Sequence, residues 1–200
     1  MGSSGRPTKE DEHLARLIGL GLFSLSAAKL AGVSQSSLSR LVDAGKVLRL
    51  ERNLYRHPDA DVDPETEDYA VACSKFGPKS VLGAMTALQY HALTDQVPQQ
   101  IWVLVPPERW RSGDRYRCIR TKTPLDIGIE DHYLYRITGV ERTLAEAFRY
   151  ATKIGLETAI RAARIANQNG VTTPAKIMTM ARKLGYESHV MKHWEAIVVE

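Results

Sequence analysis

The chain is poor in the residues that build small stapled or catalytic folds. It has two cysteines, Cys73 and Cys118, far apart and outside any Cys-x-x-Cys or Cys/His spacing. A disulfide framework and a zinc module are therefore excluded, and a reducing compartment is implied. No run of 18 apolar residues occurs, so hydropathy predicts no membrane-spanning helix. Met1-Gly2-Ser3-Ser4-Gly5 leads into charged residues rather than the apolar core of a signal peptide. There is no phosphate-binding P-loop, no nucleophile elbow, no Ser/His/Asp order and no metal-ligand spacing. Together these absences predict a cytoplasmic protein that is not an enzyme and uses no cofactor or metal.

What is present is apolar material for a sizeable core and an uneven charge. Of 200 residues, 44% are hydrophobic, enough for a small domain and a larger one. The net charge is +4, yet residues 1–60 hold nine Lys or Arg against six Asp or Glu, while the rest hold 18 against 17. The positive excess sits in the first third, where it suits a phosphate backbone with condensed counterions.

That third has a recognisable order. Leu14, Leu17, Ile18 and Leu22 form one stripe over residues 10–22, which predicts a first helix. Ser26 is an expected N-cap for a short helix running through Ala31, and Gly32 supplies the positive φ of a tight turn. Ser34 caps the next helix, about 35–44, which turns Leu38, Leu41 and Val42 inward and Gln35, Ser36, Ser39, Arg40 and Asp43 outward. Small Ala27 and Ala28 allow the two helices to cross closely. Two short helices joined by a Gly turn are a helix-turn-helix, whose second helix enters the DNA major groove.

Gln35, Ser36, Ser39 and Arg40 are then the candidate base readers, Gln matching adenine and Arg matching guanine. Ser34 and Ser37, at the positive end of the helix dipole, are placed for a phosphate oxygen. Beyond Gly45, residues 46–51 and 54–56 read as two strands around Arg52-Asn53, a wing whose Lys46, Arg49, Arg52 and Arg56 contact phosphate. Two other readings stay open. A winged helix can dock a protein instead of DNA, and Asp59-Ala60-Asp61 resembles a Mg²⁺-holding carboxylate pair for nucleotidyl transfer. The latter needs a Gly-Ser turn on a helix upstream, where this chain has its wing, so a linker is the preferred assignment.

Residues 57–68 are acidic and proline-bearing, which sets the expected domains at 1–60 for the winged helix-turn-helix and 61–200 for a larger α+β domain. Helices are expected at 65–75 and 80–92, and strands at 101–105, 117–121 and 133–137. Thr138-x-x-Glu141 reads as a capping box opening a helix lined by Val140, Leu144, Phe148 and Ala151. Leu156, Ala159, Ile160 and Ala163 continue the pattern, and Thr173-Pro174 opens a helix ended by Gly185. Arg109, Arg111, Arg115, Arg117, Arg120 and Lys122, opposed by Asp114 alone, form a possible additional basic surface. Trp110 and Tyr116 would be its stacking faces. The competing reading is a solvated hairpin. Glu130-Asp131-His132 and His91 are weak candidates for acid/base or metal chemistry, because consecutive residues on a strand point apart.

Several stretches resemble one family, the AbiEi-type antitoxins and transcriptional regulators of type IV toxin-antitoxin systems. The first is Leu25 to Arg56, with Ala-Gly-Val-Ser at 31–34, Leu-Ser-Arg-Leu at 38–41 and a wing ending Leu54-Tyr55-Arg56-His57-Pro58. Further on are residues 84–94, Ile101 to Pro107, and residues 140–148. The resemblance implies a repressor that binds inverted repeats of double-stranded operator DNA upstream of its own operon. It also implies counteraction of a nucleotidyltransferase toxin without a stable complex, by a monomer or dimer. The family's wing turn usually carries Gly where this chain has Asn53, a residue that tolerates the left-handed conformation.

Overall fold

Residues 8–108 and 113–198 are described in the computed structural model. They fold as two compact units, Met1–Lys75 and Phe76–Glu200. The architecture is α+β, and no helix among the described residues is long and apolar enough to cross a membrane.

The first unit opens with α1 (Lys9–Ile18), capped by Thr8 in a reciprocal capping box with Asp11. The helix stops at Ile18, short of the expected 22. Leu22–Phe23 is instead a two-residue strand, β1, buried at both positions. Its apolar pair mimics the helical stripe, but a turn through Gly19-Leu20-Gly21 breaks the helix and re-aims the chain. α2 (Leu25–Leu30) is capped by Ser24 rather than Ser26, because the Ser24 hydroxyl accepts the Ala27 N–H at 3.2 Å. α3 (Gln35–Asp43) follows, then β2 (Leu48–Glu51) and β3 (Leu54–Arg56), and the sheet order is β1-β3-β2, antiparallel throughout. Lys46 and Val47 precede β2 rather than belonging to it, and Val47 is core. That core joins Leu17, Phe23, Ala28, Val33, Leu38, Leu41 and Val47. α4 (Pro64–Phe76) comes last, the Asp63 carboxylate accepting the Thr66 N–H at 2.8 Å.

The second unit is built on a five-stranded mixed sheet. β4 (Val81–Leu82), α5 (Met85–Tyr90), β5 (Ile101–Val105), β6 (Tyr116–Arg120), β7 (Ile129–Asp131) and β8 (Arg136–Thr138) give the order β6-β5-β4-β8-β7. β5 and β6 run parallel, as do β4 and β8, while β4 opposes β5 and β7 opposes β8. The expected helix over 80–92 is thus a short strand followed by a short helix. Ala84, at φ 52°, makes the break. The expected strand over 133–137 begins only at Arg136, and β7 has no counterpart among the expected strands.

α6 (Val140–Arg149), α7 (Ala151–Ile154), α8 (Leu156–Gln168), α9 (Pro174–Leu184), α10 (Glu187–Met191) and α11 (Trp194–Val198) complete the chain. α6 is the central helix of this unit, with residues 142–148 all buried. Its N-cap is Gly139, not the capping box of Thr138. The Thr138 hydroxyl is drawn inward to that of Thr143 at 2.7 Å. α9 starts at Thr173-Pro174 and ends at Gly185 in the left-handed region, as its caps predict.

Candidate nucleic-acid interface

The position of α3 is set by its neighbours. Gly32 holds φ +82° between α2 and α3, and the Val33 N–H bonds the Ala28 carbonyl at 2.9 Å, so the crossing is fixed by backbone. Arg16 of α1 reaches this turn and donates to the Ala31 carbonyl at 3.3 Å. The positive φ is what requires glycine at position 32; a Cβ there would stand 2.8 Å from Arg16 Nη1, the far end of a flexible side chain that can move aside.

The N-terminus of α3 is a serine cluster. The Ser34 hydroxyl accepts the Ser37 N–H at 3.1 Å, donates to the Ser37 hydroxyl at 2.9 Å and lies 3.0 Å from that of Ser36. With the Ser34 proton given to Ser37, Ser36 must be the donor to Ser34. Ser37 alone keeps a proton for an outside acceptor. Gln35, Ser36, Ser39 and Arg40 are exposed on one face. Among the described residues Arg40 makes only long contacts, 3.5 Å to the Ser36 carbonyl and 3.5 Å to the Ser37 hydroxyl, weak enough to exchange for a ligand.

The wing turn is pinned from two sides. Asn53 adopts φ 60°, and its Oδ1 accepts the Leu25 N–H at 3.0 Å, while the Ser74 hydroxyl of α4 donates to the Arg52 carbonyl at 2.7 Å. The four wing cations then divide. Arg49 and Arg52 are exposed and have no carboxylate partner among the described residues. Lys46 is ion-paired with Glu10 of α1, which raises the pKa of its ammonium. Arg56 is half-buried, its Nε 3.2 Å from the Glu67 carboxylate of α4. Glu10, Glu67, Arg16 and Ser74 have no local sequence signal, because each acts on a residue 11 to 36 positions away.

In the second unit, Arg115, Arg117, Arg120 and Lys122 are exposed; Arg109, Trp110 and Arg111 lie outside the described residues. β6 is an edge strand, and Arg117 and Arg120 stand on opposite faces of it by alternation. The Arg117 guanidinium lies over the Trp102 ring, 4.2 Å from its centroid.

Glu130 stands between two histidines, 3.9 Å from His91 and 3.8 Å from His132, and the Tyr90 hydroxyl is 3.3 Å from His132 Nε2. His91 Nε2 is already engaged with the Thr138 carbonyl at 2.7 Å, and Asp131 pairs with Arg136 at 3.5 Å. Asp59 and Asp61 are exposed, Asp59 lying 3.9 Å from His57 Nδ1. No group of three His, Cys, Asp or Glu among the described residues is arranged to hold a metal ion.

Residues 12–58, from α1 to just past the wing, match the family of AbiEi antitoxin transcriptional regulators. The match is confined to the first unit. No curated protein matches the chain. Among solved structures, the RV2827C protein from Mycobacterium tuberculosis is similar over 100% of this chain and 85% of its own. It has 11% identity and a TM-score of 0.51, a likeness of fold.

Proposed function

We propose, from the match of residues 12–58 to the AbiEi antitoxin transcriptional regulators, that this chain is a DNA-binding repressor acting as the antitoxin of a toxin-antitoxin pair. α3 enters the major groove, Gln35 and Arg40 read base edges, and Ser37 with the amide end of the helix binds a phosphate. Arg49 and Arg52 hold the flanking backbone from the wing. Lys29, exposed at the end of α2 and unpaired among the described residues, adds a further phosphate contact. The target is an inverted repeat upstream of the chain's own operon, bound by a monomer or dimer. The second unit counteracts a nucleotidyltransferase toxin without a stable complex.

The observation that carries this reading is the division of the wing cations. Two are paired with carboxylates of α1 and α4. The other two have no carboxylate partner among the described residues and stand on the hairpin that follows a polar helix face. Fluorescence anisotropy of the full chain on a duplex from upstream of its own gene tests it, with a scrambled duplex as reference. Tight binding to the first and much weaker binding to the second supports repression; equal binding to both removes the operator.

A further inference from the structure

The second unit contains a cleft of about 370 Å³ at one edge of its sheet. β5 and β6 run parallel, so Val105 and Arg120 end at the same edge. β4 opposes β5, and β8 runs with β4, which brings Lys79 and the first residue of β8, Arg136, to that edge as well. In open parallel sheets small ligands sit in the crevice outside the carboxyl ends of the strands, and here the parallel pair β5 and β6 presents such ends beside the amino ends of β4 and β8.

The walls of the cleft are fixed before any ligand arrives. Fully buried Arg142 donates from Nη1 to the carbonyls of Pro124 at 2.7 Å and Ile127 at 2.5 Å. Arg136 donates from Nη2 to the Leu125 carbonyl at 2.8 Å, and the Thr123 hydroxyl meets that of Tyr186 at 2.5 Å. The segment after β6 is thereby held at four points. The two guanidiniums hold it through its backbone carbonyls, and their Nε atoms face Glu146 and Asp131.

The cleft's other charges are Lys79, Lys122 and Asp126. All three line the cleft, all are exposed, and none has an ion-pair or hydrogen-bond partner among the described residues. Arg136 adds a third cation whose charge is shared with Asp131. Pro106, Pro107 and Leu125 supply an apolar wall. Two free ammoniums match a phosphate chain, the apolar wall matches a base, and a carboxylate acceptor matches ribose hydroxyls or an exocyclic amine. A compact cleft of this volume suits a mononucleotide, whereas a nucleic-acid strand needs a groove that tracks its backbone.

We propose that this cleft binds a nucleoside phosphate, its phosphates held by Lys79 and Lys122 and its sugar or base by Asp126. The cleft shares no residue with α3 or the wing, so it stands or falls without them; Lys122 is the one residue it has in common with the basic stretch after Arg109.

Isothermal titration of the full chain with ATP, GTP and inorganic triphosphate tests the proposal. A nucleotide is expected to bind, and Lys79→Gln and Lys122→Gln each to weaken it at least about tenfold, the loss of one charge-assisted bond. Asp126→Asn should weaken the nucleotide relative to inorganic triphosphate. All three substitutions are on exposed side chains, and unchanged thermal melts confirm folding. Absence of nucleotide binding overturns the proposal, as does binding indifferent to both lysines. Equal affinity for inorganic triphosphate, or displacement of nucleotide by a duplex without terminal phosphates, also overturns it, in favour of a general polyanion surface.

Discussion

Asn53 and Leu25, 28 residues apart, meet in one hydrogen bond: the Asn53 Oδ1 accepts the N–H of the first residue of α2 at 3.0 Å. The turn of the wing thus supplies an acceptor for an amide that α2 itself leaves without an intrahelical partner. The left-handed backbone of Asn53 is what aims the side chain there.

Asn53→Ala should destabilise the first unit by about 1–2 kcal/mol, from a lost cap acceptor and a Cβ at positive φ. Asn53→Gly relieves the strain and loses only the bond, so it should cost less. Urea unfolding of the two variants checks the order, and a larger loss with Gly would contradict this role for the side chain.

Ser34 offers a way to separate folding from DNA contact. Ser34→Ala should cost about 1 kcal/mol as a lost N-cap. Ser34→Asp preserves the cap and complements the helix dipole, yet sets a carboxylate where phosphate is expected. It should melt like the parent and bind DNA more weakly. Melting temperature and duplex affinity are measured on the same samples.

The wing cations should not be equivalent. Arg49→Ala and Arg52→Ala should weaken binding to every duplex and flatten the slope of log affinity against log salt by about one each. Lys46→Ala and Arg56→Ala should change the slope less, because Glu10 and Glu67 already neutralise those charges. Arg56→Ala should lower stability as well. Salt titrations of the four variants distinguish the two classes.

On α6, Arg142 and Glu146 form a fully buried pair at 2.9 Å, with Arg142 Nη2 and Glu146 Oε2 left without hydrogen-bond partners. Desolvation outweighs the attraction of Arg142 and pushes the Glu146 carboxyl up from 4.5 to about 7. The native state then binds a proton more tightly than the unfolded chain between those values. The Glu146 contribution to stability is therefore full below about pH 4.5 and is lost as pH rises through 7. Glu146→Gln should remove this component, seen as a flatter stability profile from pH 4.5 to 7 relative to the parent. Arg142→Met, which leaves the carboxyl alone in the core, should cost about 3–5 kcal/mol.

The helix-turn-helix was legible because its determinants are local. An N-cap serine, a positive-φ glycine and a polar stripe each act within a few residues, and Ser34, Gly32 and the outward face of α3 stand where their spacing puts them. Short strands were not legible. Leu22–Phe23 and Val81–Leu82 are apolar pairs beside helical stripes, and pairing partners 21 or more residues away in sequence, Tyr55 and Val103 among them, fix their identity or complete it. Separation in sequence, 36 and 11 residues, likewise hid the Lys46–Glu10 and Arg56–Glu67 pairs, which make four similar wing cations into two kinds. At Thr138 the local signal misled. Its capping-box spacing is genuine, but burial gave the hydroxyl a better partner in Thr143.

The most direct test of the central claim is the affinity of the full chain for a duplex from upstream of its own gene, at fixed salt, for the parent, Arg40→Ala and Arg49→Ala. Arg49→Ala is expected to weaken that duplex and a scrambled one alike, and Arg40→Ala to narrow the gap between them by about 1–3 kcal/mol. Unchanged affinity in both variants would contradict DNA recognition by this module.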